Sequence, residues 1–179
     1  MNLERVILTG FMGAGKSTVG RLLAERIGWT FLDLDTHIEC VTGKSAKELF
    51  ADLGEAGFRQ LESQVFAEAL RQLQVILAPG GAVIDKSENQ AVLASSQGSY
   101  TIFLDAPFET LIARCIEQEQ SERATYRPLL HQEAIARARY DARKLLYAAH
   151  ARLRVDVADA TPHEVLQHIL EAISSFRPL

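Results

Sequence analysis

Cysteine is scarce in this sequence, which has only Cys40 and Cys115 among its 179 residues. The two lie far apart in segments of helical character, without the CxxC spacing of redox and zinc sites and without a neighbouring histidine pair. We therefore expect both cysteines to be reduced, buried and structural. A chain of this length can bury a stable core without disulfides or a structural metal.

Glycine and proline are also few, with 11 and 5 residues, which excludes collagen-like and low-complexity proteins. Apolar residues make up 47% of the chain and charged residues 23%, so a strongly disordered chain is excluded as well. The length favours one domain over residues 1–179.

The sequence lacks a positive net charge, because 19 basic residues face 23 acidic ones and give −4 at pH 7. Nucleic acid and anionic lipid are therefore not expected as partners, and any bound anion needs a local site. No run approaches the ~18 apolar residues of a membrane span, and the first apolar stretch is too short for a secretory signal. We expect a cytoplasmic protein, and a monomer, since no interface signal is visible.

Short apolar runs alternate with segments of helical period, the pattern of a parallel sheet with helices on both faces. The predicted strands are residues 6–8, 30–34, 75–78, 100–104 and 154–157. The predicted helices are residues 16–27, 46–53, 56–73, 88–95, 108–117, 133–149 and 163–174. Capping boxes predict three helix starts, at Ser45 with Glu48, Ser87 with Gln90, and Thr161 with Glu164. A polar stretch without clear period, residues 118–126, is a candidate lid.

One motif predicts a ligand directly. Residues 10–17, Gly-Phe-Met-Gly-Ala-Gly-Lys-Ser, match G-x-x-x-x-G-K-[ST] between a predicted strand and a predicted helix, as the motif requires. Its glycines let successive N–H groups point at phosphates, Lys16 adds a positive charge, and Ser17 can ligate Mg²⁺ beside the helix dipole. The alternative is a glycine-rich turn without a ligand. Because motif and context agree, the sequence predicts nucleotide binding.

Two acidic residues at the end of the second strand are candidates for metal and acceptor binding. Asp33 and Asp35 are two positions apart, so both carboxylates project to the same side of the predicted sheet. One could hold Mg²⁺ through water while the other accepts the proton of a substrate hydroxyl. Alternatively, Asp35 is the N-cap of the following helix.

Arg59 lies at the start of a predicted helix. The apolar residues of this helix define the side that faces the core, and Arg59 lies on a different side. Its guanidinium could clamp a substrate carboxylate, or it could form an ordinary solvated pair with Glu62. The predicted apolar face consists of Phe58, Leu61, Val65, Phe66, Ala69 and Leu73.

Further candidates follow the third strand and the lid. Gly80 and Gly81 lie where ligands of open α/β sheets bind, and glycine lets backbone N–H groups approach a ligand. Arg127 in the candidate lid and Arg143 in the next helix complete the basic set. Either arginine could instead be an ordinary surface residue.

In combination these motifs resemble the shikimate kinase family of small P-loop kinases, from about Val6 to the last helix. The matching segments are Asp33-Leu-Asp35, Phe58-Arg59-Gln-Leu-Glu62, Gly80-Gly81, Arg127-Pro-Leu-Leu130 and Arg143-Lys-Leu-Leu-Tyr147. The resemblance implies an α/β fold, the P-loop nucleoside-triphosphate hydrolase-type three-layer sandwich, with five parallel strands in the order 2-3-1-4-5. It also implies a shikimate-binding region at about 33–62, a lid at about 117–130, and transfer of the γ-phosphoryl group of ATP to the 3-hydroxyl of shikimate with Mg²⁺.

The resemblance further implies roles for individual residues. ATP would contact Gly13, Ala14, Gly15, Lys16, Ser17, Thr18, Arg114 near the adenine, and Arg127. Mg²⁺ would be positioned by Ser17 and Asp33. Shikimate would contact Asp35, Arg59, Gly80, Gly81 and Arg143. In catalysis Asp35 would be the base, Lys16 would hold phosphate, and Arg127 would move in with the lid to neutralise the transferring phosphoryl group.

The chain departs from the family pattern in the turn after the third strand. Pro79 and Ala82 flank two glycines where the family usually has three, so one N–H group that contacts substrate is missing or displaced. Leu145 also replaces a common proline, and the lid segment is longer than usual.

Two other functions stay open from the sequence. A related small-molecule kinase such as gluconate kinase shares the P-loop but does not need two arginines for a ring carboxylate. A non-catalytic ligand sensor on the same scaffold carries an added DNA-binding segment, for which we expect no room before the first strand. Such a sensor could also lose Asp35, which this chain retains.

Overall fold

The computed structural model describes residues 2–119 and 132–178. Its strands are Asn2–Leu3 (β1), Arg5–Thr9 (β2), Thr30–Asp33 (β3), Val75–Ala78 (β4), Ser99–Asp105 (β5), Leu153–Asp156 (β6) and Arg177–Pro178 (β7). Its α-helices are Lys16–Ile27 (α1), Leu34–Thr42 (α2), Ala46–Ala69 (α3), Ser87–Ser95 (α4), Phe108–Glu119 (α5), Glu133–His150 (α6) and Pro162–Ile173 (α7). A short 3₁₀ turn covers Val83–Asp85.

Five parallel strands form the central sheet in the order β3-β4-β2-β5-β6. Counted along the chain, these five strands have the order 2-3-1-4-5, so the order implied by the resemblance is confirmed. Every residue of β2, β4 and β5 is buried, as expected for parallel strands covered by helices on both faces. The polar segments that follow β2, β3 and β4 therefore meet at one edge of the sheet.

The core consists of these strands and the apolar faces of the helices. Phe66 of α3 and Phe108 of α5 are among the largest fully buried side chains. Burying one such side chain contributes about 1.5–3 kcal/mol to the free energy of unfolding. The sheet and its helices therefore provide a rigid support for the loops at its carboxyl edge.

Two of the three predicted capping boxes are present, at Ser45 with Glu48 and at Thr161 with Glu164. The box predicted at Ser87 with Gln90 is wrong, because Lys86 is the N-cap of α4. The Gln90 side chain instead donates to the carbonyl of Ile84 at 2.8 Å, which ties α4 to the preceding 3₁₀ turn.

The two helices predicted at 46–53 and 56–73 are both present within α3, where the non-helical backbone of Gly54 separates them at a kink. Gly54 has φ 67° and ψ 177°, a conformation that a side chain would strain. The helix ends at Ala69, four residues earlier than predicted. Leu73, which the periodicity places on the apolar face, therefore lies beyond the helix and is 57% exposed.

Two further expectations are corrected. Cys40 is exposed, because it lies on the outer face of α2 between two exposed residues, whereas Cys115 is buried as predicted. The second predicted strand ends at Asp33, where α2 begins. The small parallel pair of β1 with β7 was not predicted.

No helix within 2–119 or 132–178 has the length and apolar character needed to cross a membrane.

Candidate active site

The loop between β2 and α1 has the backbone of a phosphate-binding loop. Gly10, Gly13 and Gly15 all have positive φ, at 145°, 80° and 85°. A Cβ on Gly13 would lie 2.3 Å from the carbonyl oxygen of Leu111 in α5, so no side chain fits there. The close packing of this loop on α5 holds its N–H groups at the N-terminus of α1, where an anion is favoured.

Lys16 and Ser17 begin α1, as the motif predicts. The Lys16 ammonium donates to the carbonyls of Gly10 at 2.8 Å and Phe11 at 3.1 Å. The Lys16 side chain is therefore folded back over the phosphate-binding loop. The Ser17 hydroxyl donates to Asp33 Oδ2 at 2.6 Å. The two residues that the resemblance pairs, Ser17 and Asp33, are thus side by side although they come from different elements.

The pair of Ser17 and Asp33 fits Mg²⁺. Hydroxyl and carboxylate oxygens are the hard ligands that this ion prefers, and it usually takes few protein ligands together with phosphate oxygens and water. Within the described part of the chain no three His, Cys, Asp or Glu side chains cluster as a metal cage. The donor set therefore matches a metal bound mainly by nucleotide phosphates.

Asp33 is the N-cap of α2, and its Oδ1 accepts from the Thr36 N–H. The alternative in which Asp35 is the N-cap is therefore wrong. Asp35 lies in the first turn of α2, and its Oδ1 lies close to Gly80 although the residue as a whole is exposed to solvent. Desolvation by the surrounding protein, followed by repulsion from Asp33 and Glu62, raises the pKa of Asp35 to about 6.

Arg59 and Glu62 form an ion pair on α3, with Nη1 donating to Oε2 at 2.9 Å. The Arg59 side chain is 23% exposed, but that of Glu62 only 2%, so the alternative of an ordinary solvated pair is wrong. Burial raises the pKa of Glu62, and the positive charges of Arg59 and Arg143 oppose that rise. The rings of Phe50 and Phe58 lie 5.5 and 5.3 Å from the guanidinium carbon of Arg59 and help to hold it.

Arg143 of α6 is 5% exposed, so the alternative of a surface arginine is also wrong. Its Nε and Nη2 donate to the carboxylate of Asp85, with the shortest contact at 2.6 Å. One helical turn further, the hydroxyl of Tyr147 donates to the carbonyl of Gly81 at 2.6 Å. Burial raises the pKa of Tyr147, which keeps the phenol protonated as a donor.

The turn at Gly80 and Gly81 brings these groups together. A Cβ on Gly80 would lie 2.9 Å from both Asp35 Oδ1 and Glu62 Oε1, so a side chain there would enter the space beside the two carboxylates. A Cβ on Gly81 would lie 3.6 Å from Arg143 Nη1. The predicted substrate residues Asp35, Arg59, Gly80, Gly81 and Arg143 therefore form one cluster.

This cluster adjoins the phosphate-binding loop. A small pocket that is partly open to solvent is lined by Gly10 of that loop, Gly80 of the turn and Tyr147 of α6. The register of β3 with β4 also places Asp33 beside Ala78, just before the glycine turn. An organic acid and a triphosphate can thus lie next to each other at the carboxyl edge of the sheet.

Arg114 lies apart from the cluster. Arg114 of α5 donates from Nη2 to the carbonyls of Val157 at 2.7 Å and Ala158 at 2.9 Å, so it holds the segment after β6. Arg127 lies outside the described residues, as does the predicted lid, apart from 117–119 at the end of α5. Asp85 was missed, because no local motif marks it as the partner of Arg143.

Comparison with known proteins agrees with this geometry. The family model described as shikimate kinase matches residues 12–174. The shikimate kinase of Synechococcus elongatus is 42% identical over 174 residues, covering 95% of this chain and 86% of that protein. This chain belongs to the shikimate kinase family. A solved structure, the shikimate kinase of Acinetobacter baumannii in complex with shikimate, has a TM-score of 0.83 at 32% identity, covering 97% of this chain and 94% of that one.

Membership of the shikimate kinase family makes the chain an enzyme with ATP as a substrate, and it disfavours both alternatives from the sequence. A gluconokinase from Sinorhizobium meliloti has a TM-score of 0.60 at 17% identity, covering 96% of this chain and 92% of that one. That likeness shows a shared fold alone. The non-catalytic sensor is disfavoured because curated relatives that match nearly the whole chain are shikimate kinases.

Proposed function

We propose that this chain transfers the γ-phosphoryl group of ATP to the 3-hydroxyl of shikimate, giving shikimate 3-phosphate and ADP, through the residues clustered at the glycine turn. One observation carries the assignment of the site. The turn at Gly80 and Gly81 lies against Asp35, the Arg59–Glu62 pair and Arg143, directly beside the phosphate-binding loop. In our proposal the base, the two guanidinium groups and the phosphate site are therefore neighbours around the glycine turn.

The nucleotide half of the site is built from the loop and the start of α1. In our proposal the phosphates bind the loop N–H groups, and Lys16 exchanges its carbonyl partners at Gly10 and Phe11 for phosphate oxygens. The loop residues involved are Gly13, Ala14, Gly15, Lys16, Ser17 and Thr18. Ser17 and Asp33 would hold Mg²⁺, which when bound neutralises charge on the β- and γ-phosphates. Arg114 would lie near the adenine.

The acceptor half of the site recognises a carboxylate and a hydroxyl. Arg59 and Arg143 would bind the carboxylate of shikimate, because a guanidinium fork matches the two carboxylate oxygens. The N–H groups of Gly80 and Gly81 can approach the same ligand closely. Asp35 would accept the proton of the 3-hydroxyl, and its pKa of about 6 leaves it mainly ionised, yet basic enough for that role, near neutral pH.

Phosphoryl transfer depends mainly on positioning and on charge neutralisation, since the protein has little covalent chemistry to perform. We assign charge neutralisation to Lys16 and Arg127, with Arg127 arriving from the lid once both substrates are bound. A lid that excludes water would also limit hydrolysis of ATP in the absence of the acceptor.

The test is coupled ADP release with Mg-ATP and four acceptors: shikimate, quinate, gluconate and water. We expect release that depends on shikimate and that disappears in Asp35→Asn. The control is Asp141→Asn, which removes an exposed carboxylate of α6 outside the cluster. Equal release with every acceptor would contradict the assignment, and full activity of Asp35→Asn would remove Asp35 from its proposed role.

A further inference from the structure

Arg143 uses only one edge of its guanidinium to bind Asp85. Its Nε donates to the two carboxylate oxygens at 2.8 and 3.1 Å, and its Nη2 donates to Oδ2 at 2.6 Å. This side-on contact does not use the N–H groups at the end of the guanidinium, which are those of Nη1 and the outer one of Nη2. We call these groups the free end of Arg143. No residue within the described ranges 2–119 and 132–178 accepts a hydrogen bond from Nη1, which lies toward Gly81.

The Asp85 carboxylate is held by a braced turn. Asp85 ends the 3₁₀ turn Val83–Asp85, and the side chains of the following helix bind the two carbonyls before it. Asn89 donates to the Val83 carbonyl at 2.9 Å, and Gln90 donates to the Ile84 carbonyl at 2.8 Å. Asp85 is therefore fixed relative to α4, although its own side chain is 45% exposed.

The two side chains are buried unequally, since that of Arg143 is 7% exposed and that of Asp85 is 45% exposed. A buried guanidinium without a fixed partner would move toward the nearest carboxylate, and Glu62 is close enough to interact with it electrostatically. The side-on contact with Asp85 holds the guanidinium against that attraction.

We propose that Asp85 is a positioning residue for substrate binding, which holds Arg143 by its side edge so that the free end meets the substrate carboxylate beside Gly81. The inference rests on the proposed function, because it takes Arg143 as a ligand of that carboxylate. The competing possibility is that Asp85 occupies Arg143 in place of the substrate and weakens binding. The geometry opposes it, since Asp85 and the free guanidinium end use different N–H groups.

The experiment measures steady-state kinetics of Asp85→Asn, Asp85→Ala and Asp85→Glu, with Glu88→Gln as the control for loss of an exposed carboxylate nearby. Loss of a hydrogen bond to a charged group predicts an increase in KM for shikimate of about tenfold in Asp85→Ala, with a smaller increase in Asp85→Asn. The values of kcat and of KM for ATP should change less than about threefold, as expected for a group that acts only on the acceptor carboxylate. Asp85→Glu restores the carboxylate and should recover most of the loss.

A double-mutant cycle separates this role from a general effect on the fold. In an Arg143→Ala background, adding Asp85→Ala should leave KM for shikimate unchanged, because the positioned group is already gone. Thermal unfolding of each variant checks its folding, and Asp85→Asn, which keeps an oxygen for Nε, provides the result should Asp85→Ala not fold.

The outcomes distinguish the inference from the function on which it rests. An unchanged KM for shikimate in Arg143→Ala would contradict the proposed role of Arg143 itself. An increased KM in Arg143→Ala with an unchanged KM in Asp85→Ala and Asp85→Asn would overturn only the inference. A decreased KM in Asp85→Ala would show competition, and an equal effect of Asp85→Ala with and without Arg143 would show that Asp85 acts by another route.

Discussion

Arg59 and Glu62 form an ion pair in which the carboxylate is almost completely buried while the guanidinium remains partly accessible. Glu62 therefore fixes one side of Arg59, and Asp85 likewise fixes one edge of Arg143, although in that second pair the guanidinium is the more buried partner. Both arginines are thus oriented in advance by carboxylates, which lowers the entropic cost of binding an anion between them.

Arg59→Ala should lower kcat/KM for shikimate by roughly 100-fold, since losing one half of a desolvated charge contact costs about 2–5 kcal/mol. Arg59→Lys should recover little, because an ammonium cannot form the two-pronged contact. The assay is steady-state ADP release with shikimate varied. Arg21→Ala is the control, because Arg21 also lies 5.5 Å from a phenylalanine ring but on α1. Equal losses in both alanine variants would contradict the role of Arg59.

The pH profile of kcat/KM for shikimate should report the titration of Asp35. Its pKa is raised to about 6, so the basic form is lost as the pH falls through that value. The rate should decrease about tenfold per pH unit below pH 6 and level off above about pH 7. A profile that stays flat down to pH 5, with the protein still folded, would show that Asp35 is not the base.

Asp35→Asn should raise the unfolding temperature by a few degrees at pH 8 while removing activity. In the folded protein the pKa of about 6 lies above the ordinary value of 3.8, so the ionised carboxylate destabilises the fold at high pH. That destabilisation is relieved as the pH falls from about 6 toward 4, because the folded protein then takes up the proton first. The difference in unfolding temperature between Asp35→Asn and wild type should therefore be smaller at pH 5 than at pH 8. Thermal unfolding of both proteins at the two pH values measures it.

Gly80→Ala should impair catalysis more than stability. Its Cβ would lie 2.9 Å from oxygens of both Asp35 and Glu62, and the Asp35 carboxylate can move aside only by leaving its position for proton transfer. We expect kcat/KM to fall at least about tenfold with little change in unfolding temperature. Gly81→Ala is the matched comparison, because its nearest neighbour, the Tyr147 hydroxyl, is 3.3 Å away. Equal activity of Gly80→Ala and wild type would contradict the proposal that the Asp35 carboxylate must lie close to Gly80 for catalysis.

Arg127→Ala should lower turnover far more than it weakens shikimate binding. A mobile arginine at a phosphoryl-transfer centre contributes roughly 10³ to 10⁵ in rate. Steady-state kinetics gives turnover, and titration of shikimate into the protein gives its affinity separately. An unchanged turnover would remove Arg127 from the catalytic set.

The sequence was sufficient for features that local patterns specify. The phosphate-binding loop needs glycines and a lysine at fixed positions, and the fully apolar strands of a parallel sheet stand out from the amphipathic helices. The helix Lys16–Ile27 has the bounds that were predicted. Asp33 and Asp35 were selected because they follow a strand end, Arg59 because it lies near the start of a predicted helix, and all three, like Arg143, match a family motif.

The remaining features depend on contacts between distant parts of the chain. Asp85 and Arg143 are 58 positions apart, so nothing near Asp85 identifies its partner. The burial of Glu62 depends on how α3 packs, and the N-cap at Lys86 depends on the 3₁₀ turn before it. The exposed Cys40 shows that a helical period over nine residues is too short to fix which face is buried.

The most direct test of the whole account is identification of the product by ³¹P NMR after incubation of the protein with Mg-ATP and shikimate. The account predicts one new phosphomonoester resonance, with phosphate on the 3-hydroxyl and an equal amount of ADP, and neither in Asp35→Asn. Release of inorganic phosphate at the same rate with and without shikimate, and no phosphomonoester, would contradict it.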